Sequence, residues 1–334
     1  MNQQPKISIL DLVPVVEGQT LSQSYQDAVV LAQAAERLNY ERYWVAEHHS
    51  MEGIASAATS VVLGHVAGAT TTLKVGSGGI MLPNHPPLVI AEQFGTLEAM
   101  YPNRIELGLG RAPGSDPKTA MALRKDPRRQ GQDFPELLQE LRDYINPKTM
   151  ERGQVRAIPG EGQNIPIWLL GSSDFSARLA GQLGLPFGFA AHFSPHNTLP
   201  AMRIYRESFR PSEVLDQPYA LVCLNVFAAE TYEEAEYIAT SSKQQFLSLI
   251  RGNPGKLPRP VKDMDEVWSP MEKAAVMQQL AGTIIGNPDQ VEEELSAFTE
   301  QTQAQELMVV SNAHDFNQRL KTYEIIAERM IRHG

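Results

Sequence analysis

Eight short apolar runs recur along the chain, each leading into a stretch whose apolar residues fall at helical spacing. The runs are Ile7–Leu12, Tyr43–His49, Leu73–Ile80, Arg104–Gly110, Ile165–Leu170, Phe187–His192, Tyr219–Ala228 and Glu306–Ser311. Helical patterns follow at Ser22–Leu38, Ser56–Ala67, Leu88–Met100, Pro135–Ile145, Asp174–Leu183, Pro200–Phe209, Tyr232–Arg251 and Asp315–Arg332. Apolar runs this short read as buried strands, and strands joined through helices pair in parallel. Eight such units predict an α/β fold of the (β/α)8 TIM-barrel type, one domain over residues 1–334. Two longer stretches, Arg111–Gln163 and Gly252–Pro270, read as insertions after the fourth and seventh strands. An open doubly wound sheet is the competing architecture. In a barrel, chemistry belongs at the carboxyl ends of the strands.

Composition narrows the function. With 29 Lys and Arg against 39 Asp and Glu, the net charge is −10, which argues against nucleic acid or an anionic membrane as partner. A single cysteine, Cys223, leaves no internal disulfide and no cysteine-built metal cluster, and it reads as a core residue of the seventh strand. The first residues, MNQQPKISIL, lack the apolar core of a signal peptide, so a cytoplasmic location is expected.

The strand ends carry the chemistry-bearing residues. The second strand closes on Glu47-His48-His49. A histidine there suits proton transfer near neutral pH, metal ligation or a structural role. Strand alternation sends Glu47 and His49 one way and His48 the other, and no H-E-x-x-H or H-x-H pattern supports a metal. The third strand ends Gly76-Ser77-Gly78-Gly79, a density of glycine that marks a bulge or close approach of a flat ligand. The fourth runs into Gly108-Leu109-Gly110-Arg111-Ala112-Pro113-Gly114, which misses the dinucleotide fingerprint because Pro113 takes the third glycine's place. Arg111 suits a phosphate or a surface ion pair. Gly171-Ser172-Ser173 opens a helix after the fifth strand, where hydroxyls and free N–H groups can bind an anion or simply cap the helix.

Taken in order, W-V-A-E-H-H, V-G-S-G-G-I-M-L-P-N-H-P-P, R-I-E-L-G-L-G-R-A-P-G and I-W-L-L-G-S-S resemble the bacterial luciferase-like flavin-dependent monooxygenase family, more narrowly its short YhbW-type branch. The resemblance spans Ile7 to the last helix. It implies a homodimeric barrel that takes reduced FMN from a separate NAD(P)H:flavin reductase and uses O2 to oxygenate a small organic, aldehyde-like substrate through a flavin peroxide. By motif, His48 matches the family's catalytic histidine and Glu47 the neighbouring acid that helps build the flavin pocket. Ser77, Gly78 and Gly79 match the strand-three bulge under the flavin ring, whose Gly78–Gly79 bond is often cis. Arg111 matches the phosphate-binding arginine. Gly171, Ser172 and Ser173 match the phosphate-binding helix start. The insertion after the seventh strand matches a mobile loop over the site, and helices Ser56–Ala67 and Leu88–Met100 could form the dimer face or simply pack on the barrel. Gly110 stands where true luciferases carry a reactive cysteine, a departure that puts light emission in doubt. A deazaflavin-dependent oxidoreductase and a non-catalytic flavin store are the alternatives on this fold.

Overall fold

The computed structural model describes residues 4–112, 117–123, 131–146 and 155–331. Pro113, Gly114 and the remainder of the Arg111–Gln163 stretch beyond those bounds lie outside it, as does Arg332. Its strands are β1 (Lys6–Asp11), β2 (Arg42–Val45), β3 (Lys74–Met81), β4 (Ile105–Gly110), β5 (Ile167–Gly171), β6 (Phe187–Ala190), β7 (Ala220–Ala228), β8 (Ile284–Gly286) and β9 (Glu306–Val310). All pair in parallel, in the order β6-β5-β4-β3-β2-β1-β9-β7, and β6 pairs with β7 to close the ring. The expected eight-stranded barrel is present. The short β8 sits outside it, paired with Val226–Ala228 of β7.

The helices are α1 (Leu21–Arg37), α2 (Thr59–Gly68), α3 (Pro87–Met100), α4 (Pro117–Ala122), α5 (Phe134–Ile145), α6 (Asp174–Leu183), α7 (Thr198–Ser208), α8 (Tyr232–Ile250), α9 (Pro270–Gln279), α10 (Pro288–Thr302) and α11 (Phe316–Met330). One expectation needs correcting. The sequence pattern makes Tyr232–Arg251 the return helix of the seventh strand, but α10 takes that place, packed against α7 and α11. The α8 helix packs on β7, β8 and α9, so the insertion after β7 runs from α8 through β8. Three residues of β8 are too few to show alternation, and the buried stripe of α10 is only Val291, Leu295 and Thr302 among acidic neighbours. The start of α10 is nonetheless set locally. Asn287 accepts from Gln290 N–H, Gln290 returns a bond to Asn287 N–H, and a proline follows the cap.

Parallel register fixes which side chains fill the barrel. Leu10 lies beside Trp44, Gly76 beside Glu106, Gly108 beside Trp168, and Cys223 beside Met308. The amino-terminal layer is polar and closed on itself. Buried Arg42 donates to Glu306 at 2.7 Å and also to Glu106, Trp44 Nε1 donates to Glu106 at 2.9 Å, and the Tyr219 hydroxyl reaches Glu306 at 2.9 Å. Above it, Trp44 and Trp168 meet edge to face at 5.2 Å, within an apolar plug that includes Leu10, Leu221, Cys223, Met308 and Val310. Two indoles fit only because their neighbours are glycines: a Cβ on Gly76 would meet Trp44 Nε1 at 2.6 Å. Cys223 is buried in this plug, and burial pushes its thiol pKa up, as suits a core residue.

Candidate active site

Continuing the inward rows toward the carboxyl face, alternation places His48 after β2, Asn225 near the end of β7 and Asn312 after β9 above the apolar plug. His192 continues the inward row of β6 through Gly188 and Ala190. Phe193 joins two of these residues. Its ring lies 4.3 Å from that of His192 and 6.4 Å from that of His48. His192 is buried, and burial lowers its pKa to about 4, partly opposed by a backbone hydrogen bond to Cys223 and deepened by the charge of His48. Its Nδ1 lies 3.4 Å from Cys223 O. The Asn312 side-chain oxygen is buried without a hydrogen-bond partner among the described residues. His192 and Asn312 were not singled out from sequence, although counting inward positions on each strand would have reached both.

Glu47 faces the other way, as alternation requires. Its buried carboxylate accepts from Met81 N–H at 3.0 Å, Asn84 Nδ2 at 3.1 Å, His49 Nε2 at 2.7 Å and His85 Nε2 at 2.9 Å. Burial alone would raise its pKa, but the bonds from His49 and His85, the charge of His85 and the Met81 amide pull it down to about 2. An ionised carboxylate only accepts, so both histidines present Nε2–H to it. This occupancy suits a positioning role, not proton transfer: Glu47 ties the end of β2 to the turn Leu82–Asn84 after β3. Ligand-type atoms of Glu47, His49 and His85 lie within 4.8 Å of one another, close enough for a metal. The amide donors of Met81 and Asn84, aimed at the same oxygens, instead describe an anion clamp.

Because the folded pKa lies below the ordinary 4.5, Glu47 adds stability above about pH 4.5 that is lost as pH falls toward 2. The shift corresponds to on the order of 3 kcal/mol. Glu47→Gln is expected to lower the denaturation free energy at pH 7 by about 2–4 kcal/mol and to flatten its decline between pH 5 and pH 2. Urea titrations at several pH values check this, and equal acid sensitivity in both proteins would refute the assignment.

The bulge in β3 is as expected. Register slips between Ser77 and Ile80, and the Gly78–Gly79 peptide is cis. A Cβ on Gly78 would meet Leu10 at 2.6 Å, and one on Gly79 would meet Gly108 O at 2.7 Å, so barrel packing itself demands these glycines. Ser77 is buried and donates its hydroxyl to Gly108 O at 2.8 Å, which spends that group on the neighbouring strand. At the far side, Arg111 reaches across to the start of α6, its guanidinium carbon 4.3 Å from the ring centre of Phe175. Ser173 is the N-cap of α6, yet its side chain makes no capping bond. Ser172 beside it is exposed, and Gly171 lies tight against Ser176, where a Cβ would meet the side chain at 2.6 Å. The structure therefore brings Arg111 to the first turn of the helix that the Gly-Ser-Ser segment opens.

The sequence profile of the luciferase-like monooxygenase family matches residues 6–305. The chain belongs to that family. A luciferase-like monooxygenase of Escherichia coli K12 is 49% identical over 95% of each chain. The N-acetyl-S-alkylcysteine monooxygenase of Bacillus subtilis strain 168 is 31% identical over 98% of each. Among solved structures, apo-MsnO8 is 34% identical over 97% of this chain and 98% of that one, with a TM-score of 0.87. Two more distant likenesses show the fold alone. The oxygenating constituent of 3,6-diketocamphane monooxygenase from Pseudomonas putida, in complex with FMN, is 16% identical over 98% of each chain with a TM-score of 0.74. An F420-dependent secondary alcohol dehydrogenase, in complex with an F420–acetone adduct, is also 16% identical, over 99% of this chain and 100% of that one, with a TM-score of 0.67. As a luciferase-like monooxygenase the chain is an oxidoreductase, and among its described residues no helix is long and apolar enough to cross a membrane.

Proposed function

We propose that this luciferase-like monooxygenase takes reduced FMN from a separate NAD(P)H:flavin reductase, with O2 as second co-substrate, and oxygenates a small organic molecule. The observation that carries the reading is Arg111 set against a helix start whose N-cap side chain makes no capping hydrogen bond. A guanidinium, unsatisfied helix N–H groups and two serine hydroxyls are the donor set a phosphate needs. The residues fit the rest of FMN as well. The β3 bulge offers bare backbone over the apolar Leu10 and Trp44, and the buried oxygen of Asn312 awaits a donor such as a ring N–H.

Bound reduced FMN would supply two electrons, so that one oxygen atom of O2 enters the substrate and the other leaves as water. The protein's part is positioning, water exclusion and proton handling. Arg111, Ser172 and Ser173 anchor the phosphate away from the reacting end. The apolar plug keeps water from entering through the barrel. His48, half-buried on the inward row, moves a proton at an imidazole nitrogen. Exposed Val61 on α2 and Met100 on α3 support a homodimer through these helices, which a one-chain mass by light scattering would exclude.

The deciding experiment is an anaerobic titration with reduced FMN, followed by oxygen. Tight binding of the reduced form, with reoxidation whose rate responds to added organic substrate, supports the reading. Immediate reoxidation that ignores every added compound favours a flavin store, and binding of a reduced deazaflavin in preference to FMN favours the oxidoreductase alternative.

A further inference from the structure

Three buried neutral side chains follow one another around the carboxyl mouth of the barrel. His192, Asn225 and Asn312 continue the inward rows of β6, β7 and β9, which are neighbours in the ring, and each is more than nine-tenths buried. Ala190 lies beside Cys223, and His192 and Asn225 each come two residues later. Asn225 lies beside Val310, one inward step before Asn312. Their hydrogen bonds spend donors and leave acceptors. The backbone N–H of His192 donates to Cys223 O at 3.0 Å, and its Nδ1–H donates to the same oxygen at 3.4 Å. A carbonyl only accepts, so the ring proton sits on Nδ1 and Nε2 keeps its lone pair. Asn225 gives Nδ2–H to Thr283 Oγ1 at 3.5 Å. Among the described residues nothing donates to Nε2 of His192 or to the side-chain oxygens of Asn225 and Asn312.

Asn312 is the acceptor that a ring N–H of FMN would use, which leaves His192 and Asn225 for the second ligand. We propose that these two select the organic substrate by accepting hydrogen bonds from an N–H or O–H that it presents. The proposal rests on the monooxygenase reading for its chemistry, and it sets the substrate apart from the aldehyde that the family resemblance implies. A bare carbonyl would turn its own lone pairs toward Nε2 and Oδ1 and leave both unmet. The head group is neutral as well. Above the apolar plug, the inward residues that β6, β7 and β9 lead into, His192, Asn225 and Asn312, include no Asp, Glu, Lys or Arg, and burial keeps His192 uncharged near neutral pH. An ammonium or a carboxylate would lose hydration there without gaining a counter-charge. A secondary amide or an alcohol meets both demands.

Two probes of one shape isolate the donor: N-methylbenzamide carries an N–H where methyl benzoate carries an oxygen. In anaerobic calorimetric titrations of the protein loaded with reduced FMN, the amide is expected to bind about tenfold or more tighter than the ester. Benzoate and benzylammonium are each expected to bind about tenfold more weakly than the amide. Asn225→Leu and His192→Phe should each cut the amide's advantage by about threefold or more, while His192→Gln, which keeps an acceptor, should retain most of it. Retained FMN affinity is the control for folding, and the comparison in the unaltered protein stands whether or not a variant folds. Equal binding of amide and ester by the unaltered protein, no binding of either, or a preference that survives both the Leu and the Phe replacement would each overturn the proposal. An amide preference without oxygenation of any probe would leave this proposal standing and count against the monooxygenase reading. Oxygenation without an amide preference would do the reverse.

Discussion

Arg111→Ala is expected to weaken FMN binding by about 10- to 100-fold and riboflavin binding by less than about threefold, because only FMN carries the phosphate. A guanidinium hydrogen-bonded to a phosphate oxygen is worth about 1.5–3 kcal/mol, and truncation also removes the local positive charge. Here that charge has a second task. Asp174 sits in the first turn of α6, so without Arg111 a phosphate at the helix start would face a carboxylate with only N–H groups and two hydroxyls in its favour. Phe175 gives the arginine a ring to lie against, which limits the entropy lost when the phosphate is gripped. Arg111→Lys should recover part of the affinity, since the charge returns without the planar fork. Fluorescence quenching of both ligands, measured over a range of salt, reads the effect. Equal losses for FMN and riboflavin would show that Arg111 does not touch the phosphate. A loss confined to FMN but insensitive to salt would point to altered shape rather than lost charge.

The barrel was legible because its signal is repeated. Each strand is a compact apolar run, and a return helix follows most of them at a spacing that few other architectures share. The excursion after β7 was not, since β8 is three residues long and α10 is acidic around a narrow buried stripe, so neither shows a clear period. Within the site, alternation along β2 separates Glu47 and His49 from His48, and the hydrogen bonds divide them in the same way. What alternation could not give is the third party. Asn84 and His85 close on Glu47 from a proline-bounded turn, whose path is set by tertiary contacts. The glycines of β3 carried two explanations from the start, a flat ligand above or crowding below. The structure shows the crowding, from Leu10, Trp44 and Gly108, and leaves their backbone face as the candidate floor for a ring.

His48→Ala is expected to lower substrate oxygenation by about 10²- to 10⁴-fold, the usual worth of a positioned acid–base group, while FMN affinity changes by less than about threefold. Binding should survive because the phosphate anchor lies at Arg111 and α6, and because the clamp that shapes the β3 turn uses Glu47, His49 and His85. His192 stands beside Phe193 as a possible substitute, but it cannot take over. Burial holds its pKa at about 4, so near neutral pH it is a neutral imidazole and not an imidazolium acid. Added imidazole should therefore restore part of the lost rate in His48→Ala, and restoration should follow imidazole's own titration rather than that of His192. Stopped-flow oxygenation rates with and without imidazole, across pH 6 to 9, separate the cases. Full activity in the variant would remove His48 from the mechanism. A rate lost together with FMN affinity would mean that its ring props the flavin pocket instead of moving a proton. Loss without imidazole rescue, in a variant that still binds FMN, would place the requirement in packing of the His48 ring against Phe193.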